Sequence, residues 1–331
     1  MPNPMTINDA ADLLDKAVDN VWLKGSEGQS EFYKQYYNVQ STENYQDTDS
    51  SLSGLGYAGR IVENAVPVAQ TPVQGFDKTF TQVEYGVLMT FTKRMWKFGI
   101  QKRNLTKVVN EAWKACSDLR ELRCAERLVN GHSTSYTATD DTGNYTVTTT
   151  GGDSAALFSA SHTREDGGTN NNNIVTDGST VNMDWEYDAL KAAYRTAALV
   201  RNPKGKPMNI NLDTLVLAKG YANNMRAMEM LAAMKAGKMP GTTDHDGTAV
   251  PAFKILALPW IMSNTDYWWM FDSGMKNQMY GLQYFESQPI EKEGPHVVFK
   301  TDEIQYKATM LFEIGHNDYR GWVGSKNTNA A

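Results

Sequence analysis

Cysteine is nearly absent: 331 residues carry only Cys116 and Cys124. Eight positions apart in a stretch of helical spacing, they lie about 12 Å from each other along a helix, beyond the reach of a disulfide. A disulfide-stapled scaffold is excluded, and both thiols are expected to be buried and free, as in a soluble protein made in a reducing compartment. Long apolar runs are missing too. The most apolar stretch, residues 255–262, is interrupted by Pro259 and falls far short of the roughly 18 residues that cross a bilayer. The opening MPNPMTINDAADLLDKAVDN has neither a basic start nor an apolar centre, so no secretory signal is expected. Positive charge is in short supply: 32 Lys and Arg against 38 Asp and Glu give a formal net charge of −6. That balance argues against a dedicated nucleic-acid binder, which gathers a basic face. The five histidines, at 132, 162, 245, 296 and 316, show no HxxxH or HxxE pairing, and no Cys–His nucleophile is suggested.

What remains is an ordinary globular composition, 41% hydrophobic and 21% charged, in a chain long enough for roughly two domains and a large core. The first 60 residues are polar, with an amphipathic stretch over 7–22, an aromatic patch at 31–37 and then TENYQDTDSSLSGLGYAG; they read as an extended arm. Val83, Tyr85, Val87, Met89 and Phe91 alternate with period two, and residues 59–68 are their expected partner strand across a turn at 69–76. Such a two-stranded hairpin is marginal alone, so its cover is expected from another subunit. Leu105, Val108, Val109, Ala112, Cys116, Leu119 and Leu122 form one helical stripe, with Asn104 as N-cap and Asn130-Gly131 as the stop. This helix of about 25 residues reads as a spine. Residues 131–181, including DGGTNNNN at 166–173, read as strands joined by flexible loops. Then come a helix over 184–200, a buried strand over 212–218, a Met-rich helix over 221–236, apolar strands at 254–262 and 267–271, and antiparallel strands over 281–321. No internal repeat is present.

Each motif that spells a chemistry has a plainer reading. Gly54, Gly56 and Gly59 match the dinucleotide fingerprint, but a polar arm precedes them and a strand follows, where the phosphate cradle needs a strand before and a helix after. A glycine-rich joint is expected. Asp141-Thr142-Gly143 spells an aspartic-protease signature without a second copy or apolar flanks, so a turn is expected. Asp244-His245-Asp246-Gly247 lacks the spacing and the later Glu of a calcium loop and reads as a solvated tip. Met225, Met228, Met230 and Met234 suit either an adaptable face or, more simply, core packing. Tyr267-Trp268-Trp269 reads as a core strand. No catalytic, cofactor-binding or metal-binding residue emerges.

The order of elements, a polar arm, a long hairpin, a long helix, an α/β region and returning strands, resembles that of the tailed-bacteriophage major capsid proteins with the Hong Kong 97-type shell fold. TPVQGFDKTFTQVEYGVLMTFTKRMW at 71–96 resembles that family's extended-loop strand, and ALFSASH at 156–162 a segment common among head proteins. VPAFKILALPWIMSNTDYWWMFD at 250–272 and FEIGHNDYRGWVGS at 312–325 resemble its late strands and C-terminal end. The resemblance implies an α+β fold: an N-terminal arm at 1–58, an extended β-hairpin loop at 59–96, a peripheral domain from 97–180 and 276–331 around the spine helix, and an axial α/β domain at 181–275. Residues 237–252 are then the candidate loop nearest the symmetry axis.

It further implies a non-enzymatic structural protein without cofactors that self-assembles as pentamers and hexamers into an icosahedral virion head. That head encloses double-stranded DNA without sequence-specific contacts, has no membrane, and assembles in the bacterial host cytoplasm. The implied partners are other copies of the chain, a portal, and separate scaffold or decoration proteins. Lys78, expected near the loop tip, has no identified cross-linking partner. The alternative is a shell of the same fold around an enzyme cargo, as in bacterial nanocompartments.

Overall fold

A computed structural model describes residues 15, 18–22, 31–52, 55–63, 65–72, 74–92, 94–95, 102–235 and 253–327. The elements are α1 (Tyr33–Tyr36), β1 (Asn38–Ser41), β2 (Gln46–Leu52), β3 (Gln74–Thr81), β4 (Val83–Phe91), α2 (Lys102–Val129), β5 (Ser135–Asp140) and β6 (Gly143–Thr148). There follow α3 (Tyr187–Leu199), β7 (Thr214–Ala218), α4 (Ala222–Lys235), β8 (Lys254–Leu258) and β9 (Trp268–Phe271). The chain closes with α5 (Ser273–Lys276), β10 (Leu282–Val298), β11 (Glu303–His316) and β12 (Trp322–Ser325). This is the expected α+β class.

One four-stranded sheet, in the order β12-β9-β7-β8, is buried on both faces. Period-two alternation divides its side chains. Leu215, Leu217, Trp268, Met270 and Val323 pack under α3 and α4 in one cluster, whereas Val216, Ala218, Leu256, Leu258, Trp269, Phe271 and Trp322 join the main core. Covered on two sides, such strands read as continuous apolar runs, which is why TLVLA and WWMF show no polar alternation. Gly281 turns the chain into β10 at φ +83, and a Cβ there would collide with the Trp322 indole.

The other four-stranded sheet, β1-β10-β11-β4, carries α2 across one face through Met89, Phe91, Val109, Ala112, Ile304 and Tyr306. The expected pairing of 59–68 with 83–91 does not form. β4 pairs with β11 instead, Phe91 opposite Ile304 and Val83 opposite Phe312. β3 pairs with β2, giving a ribbon rooted at Gln46 and Thr81. Pairing partners more than 200 residues apart leave no trace in local alternation, so the nearest extended segment is the wrong choice.

Three further expectations change. The arm is in part a core component: Tyr33, Tyr36 and Tyr37 are fully buried, β1 lies parallel to β10, and Val18 packs against the α2–β11 core while Lys292 bridges Asp15 and Asp19 at 2.7 and 2.6 Å. The spine helix begins at Lys102, so Asn104 lies within it and is not its cap; 28 residues give about 42 Å. The Asn-rich stretch is tied down: Asn171 and Asn173 are buried, Asn171 bonding the Tyr319 hydroxyl at 2.6 Å and Asn173 the Leu157 carbonyl at 2.7 Å. Cys116 and Cys124 are buried free thiols as expected.

Candidate functional site

The ribbon divides into two unlike halves. In the proximal half β2 and β3 run in register from Gln46↔Thr81 to Ser50↔Asp77, with a bulge before Leu52↔Gln74. Cross-strand threonines support it, the Thr48 and Thr79 hydroxyls lying 3.1 Å apart. Its inner edge is fastened to the body by polar groups. Asn317 Nδ2 donates to the carbonyls of Asp49 at 3.0 Å and Phe76 at 3.3 Å. Gln283 Nε2 donates to Asp49 Oδ2 at 2.8 Å. Glu165 Oε1 accepts from Ser51 Oγ at 2.8 Å and from the Phe76 N–H at 3.2 Å. Gly75 makes this approach possible, since a Cβ there would overlap the Glu165 and Ser51 side chains. At the root, Phe80 is buried and packs on Phe285 at 4.7 Å between ring centres.

The distal half, residues 55–63 and 65–72, has no regular secondary structure and leaves its apolar side chains in solvent. Leu55, Tyr57, Ile61, Val62, Val66 and Val68 are all exposed, Val66 by 87% and Val68 by 79%. Lys206 of the body reaches it, its Nζ donating to the Gly56 carbonyl at 2.6 Å and lying 4.4 Å from the Tyr57 ring centre.

Electrostatics meet at the root. Lys78 lies in the proximal half, opposite Asp49, not near the tip as expected; the strand partners assigned from sequence had placed the turn too late. Burial and the neighbouring Arg127 lower its pKa, opposed by Glu313. Burial raises Glu313 to about 7 despite Arg127 and Lys78, and burial holds His316 well below its ordinary range. Arg127 belongs to a charged end of α2 that the helical stripe does not reveal. Arg120 lies on the Tyr33 ring beside Glu31 and Glu286, Arg123 pairs with Glu126 at 2.7 Å, Arg127 donates to the Thr148 carbonyl, and Glu121 accepts from the Tyr33 N–H at 3.1 Å. These side chains are buried because arm, β5–β6 hairpin and β10 converge on this helix end, each bringing a partner.

The sequence motifs fall in separate places. Asp141-Thr142-Gly143 is the β5–β6 turn, where Asp140 accepts from the Thr142 N–H at 2.8 Å. Gly56 and Gly59 lie on the distal half with no helix after them, and Gly54 is outside the described residues, as are residues 237–252 with Asp244, His245 and Asp246. The methionines of α4 split: Met225 and Met228 are exposed, Met230 is buried and Met234 packs against the same cluster. Trp268 and Trp269 are core, as expected. Unforeseen is the stack of His162 on Tyr319 at 3.5 Å, with Asp153 at 2.7 Å from Nδ1 and Asn173 at 3.1 Å from Nε2. Its only sequence signal is a polar residue type recurring in two segments with no helical or strand period.

Room for a ligand is limited here. The cavity at the ribbon's inner edge, lined among others by Ser51, Phe76, Asp153, Glu165 and Asn317, has about 20 Å³, enough for one water. A hollow of about 290 Å³ between residues 169–178 and α3 is lined by amides, hydroxyls, Arg195 and Leu199. Among the described residues no group of three or more His, Cys, Asp or Glu is placed to hold a metal ion.

No family model matches the chain, and no curated protein matches its sequence. Solved structures do. A chain described as Mycobacterium phage Adephagia is 12% identical over 90% of each chain, with a TM-score of 0.51. The virus-like particle from Pyrococcus furiosus is 12% identical, covering 94% of this chain and 98% of that one at a TM-score of 0.46. The capsid of an empty GTA particle is 10% identical over 90% of each chain, also at 0.46. At such identities the first of these likenesses shows the fold: an α+β architecture held in common with a phage chain over nearly its whole length.

Proposed function

We propose that the chain is the structural subunit of a closed protein shell, a major capsid protein that assembles through contacts between copies of itself into an icosahedral phage head. One observation carries this reading: a ribbon whose proximal half is fastened to the body ends in a distal half with six exposed apolar side chains. Each such side chain contributes about 1.5–3 kcal/mol when covered, and in the isolated subunit that contribution is not made. A neighbouring copy in the shell supplies the cover. The fold common to this chain and a phage chain supports the same reading.

The finer parts of the reading follow. The axial domain comprises 181–275, the peripheral domain 97–180 and 276–331, and the extended loop is the β2–β3 ribbon with the segment between its strands. Pentamers and hexamers enclose double-stranded DNA, which a chain of net charge −6 repels more than it grips. Portal, scaffold or decoration proteins are further partners, and assembly takes place in the host cytoplasm. The role requires no catalysis and no cofactor.

Electron microscopy of the purified chain, with light scattering for mass, is the test. Closed hollow particles tens of nanometres across are expected, as the fold's shells require many copies. A uniform monomer or dimer that still forms no shells at raised concentration and with a scaffold protein added would overturn the reading. Shells that enclose a folded protein cargo and no DNA when isolated from the producing cell would move it to the nanocompartment alternative.

A further inference from the structure

Away from the ribbon, His162 stands fully buried on a stretch that pairs with Asn171 through backbone bonds of 2.8 and 3.0 Å. The groups against its ring come from three places along the chain. Asp153 Oδ2 lies 2.7 Å from Nδ1, and Asn173 Oδ1 lies 3.1 Å from Nε2. The Tyr319 ring covers one face, 3.5 Å away between centres and tilted by 8°. Asn173 is buried, and the Asp153 side chain is 5% exposed.

The hydrogen bonds fix where the protons are. The Asn173 amide is oriented by its other partners, Nδ2 donating to the Leu157 carbonyl at 2.7 Å and Oδ1 accepting the Ser159 N–H at 2.9 Å. Turned over, it would set N–H against N–H and oxygen against oxygen. The atom facing Nε2 is therefore an acceptor. The atom facing Nδ1 is a carboxyl oxygen, whose neighbour Oδ1 accepts the Ala155 N–H at 3.0 Å. A neutral ring has one N–H and would leave a lone pair against an oxygen with water excluded. Of imidazole and carboxylate, imidazole is the stronger base and keeps the proton between them. The surroundings suit a cation. Asp153 balances it, and the Tyr319 face lies against it. Asp318 and Arg320, on either side of Tyr319, pair with each other. Burial, with Arg127 and His162, keeps His316 well below its ordinary range, so it adds no second charge.

From this geometry we infer that His162 is an imidazolium, protonated on both ring nitrogens, whose ion pair with Asp153 locks the 153–173 stretch to residues 319–325. Asn173 extends the lock. Its carbonyl accepts the Gly324 N–H at 3.1 Å, and the Gly324 carbonyl accepts the Val175 N–H at 3.0 Å. The residue that receives the ring proton thus also holds β12, at the edge of the β12-β9-β7-β8 sheet. Removing one member of a buried pair strands the other charge, so this junction has one favoured register. His162 and Asp153 are positioning residues within the single subunit, whatever the subunit builds.

Nitrogen NMR of the full chain, labelled with 15N in histidine, tests this at pH 7.5, where a histidine in water is mostly neutral. Solution spectra of the unassembled chain and solid-state spectra of shells serve equally, so the result does not depend on whether shells form. The His162 signals are assigned through their contact with the Tyr319 ring, which needs no variant to fold. Two one-bond N–H couplings are expected on this ring. A single coupling would overturn the charge, and ring protons lost to exchange with water would overturn the lock. In the folded Asp153→Asn variant one coupling should vanish, and the Val175 and Gly324 amides should exchange at least tenfold faster. Unchanged exchange at those two amides would also overturn the lock.

Discussion

The β12-β9-β7-β8 sheet and the β2–β3 ribbon are both built from extended chain, yet they use apolar side chains in opposite ways. The sheet covers both its faces within the subunit, with Trp268, Trp269, Met270 and Phe271 all buried. The ribbon is held by amides and carboxylates, and its apolar side chains stand in solvent at the distal end. The contrast separates two tasks. One strand system covers its apolar surface within the subunit; the other leaves it in solvent, the surface that the proposed shell would cover. A mutation should therefore strike folding in the first and assembly in the second, and the predictions test how clean that separation is.

The largest effect is expected from Val66→Asp with Val68→Asp. Both side chains are exposed in the subunit, so thermal stability should change by no more than about 0.5 kcal/mol. In a shell each carboxylate is carried into an apolar contact, and particle yield at fixed concentration should fall at least about tenfold. Replacing residues 57–70 by a short turn is the corresponding deletion, because it spares β3 and the bonds at Phe76. Unaltered yield would show that the distal half is not the contact surface. The mirror experiment is Trp269→Ala. Cutting a fully buried indole from the main core should cost about 3–5 kcal/mol. A loss under about 1 kcal/mol would break the comparison from the other side.

The two regions also differed in how far they could be read in advance. Strands covered on both faces announce themselves as apolar runs, so β7 and β9 were legible, as were α3 and the stop of α2, where period and stop residues are local. Burial in the charged end of α2 was not. Nothing in the helical stripe draws Arg120, Glu121, Arg123 and Arg127 inward, and only partners such as Glu31, Glu286 and the Tyr33 N–H make their burial tolerable. The ribbon failed for the same reason. That β4 belongs to β11 depends on chain returning from more than 200 residues away; with β4 so taken, β3 pairs back to β2, and the wrong pairing put Lys78 at a tip instead of a root. That the region is extended was legible; which residues were fastened to the body and which stood in solvent was not.

The smallest predicted effect sharpens the root of the ribbon, where Glu313 on β11 faces Arg127 of α2 and Lys78 of β3, with His316 on its own strand. Burial raises the Glu313 pKa to about 7 from an ordinary value of 4.5. Between those values the folded protein holds a proton that the unfolded chain has released, so this group makes stability fall as pH rises through the window and level off above it. Glu121, also raised to about 7, acts in the same direction. His132, lowered to about 3, and His316, held well below its ordinary value of 6.5, act oppositely: the unfolded chain takes up their protons first, so stability falls as pH drops below 6.5. The two sets partly cancel in the unaltered protein, and Glu313→Gln removes one contribution from one set. The melting temperature of the variant minus that of the parent should therefore grow by about 2 °C or more between pH 5 and pH 8. A difference that stays flat across that range would mean that Glu313 keeps its charge beside Arg127 and Lys78, and that the ribbon root is an ion-paired joint at every pH at which the subunit folds.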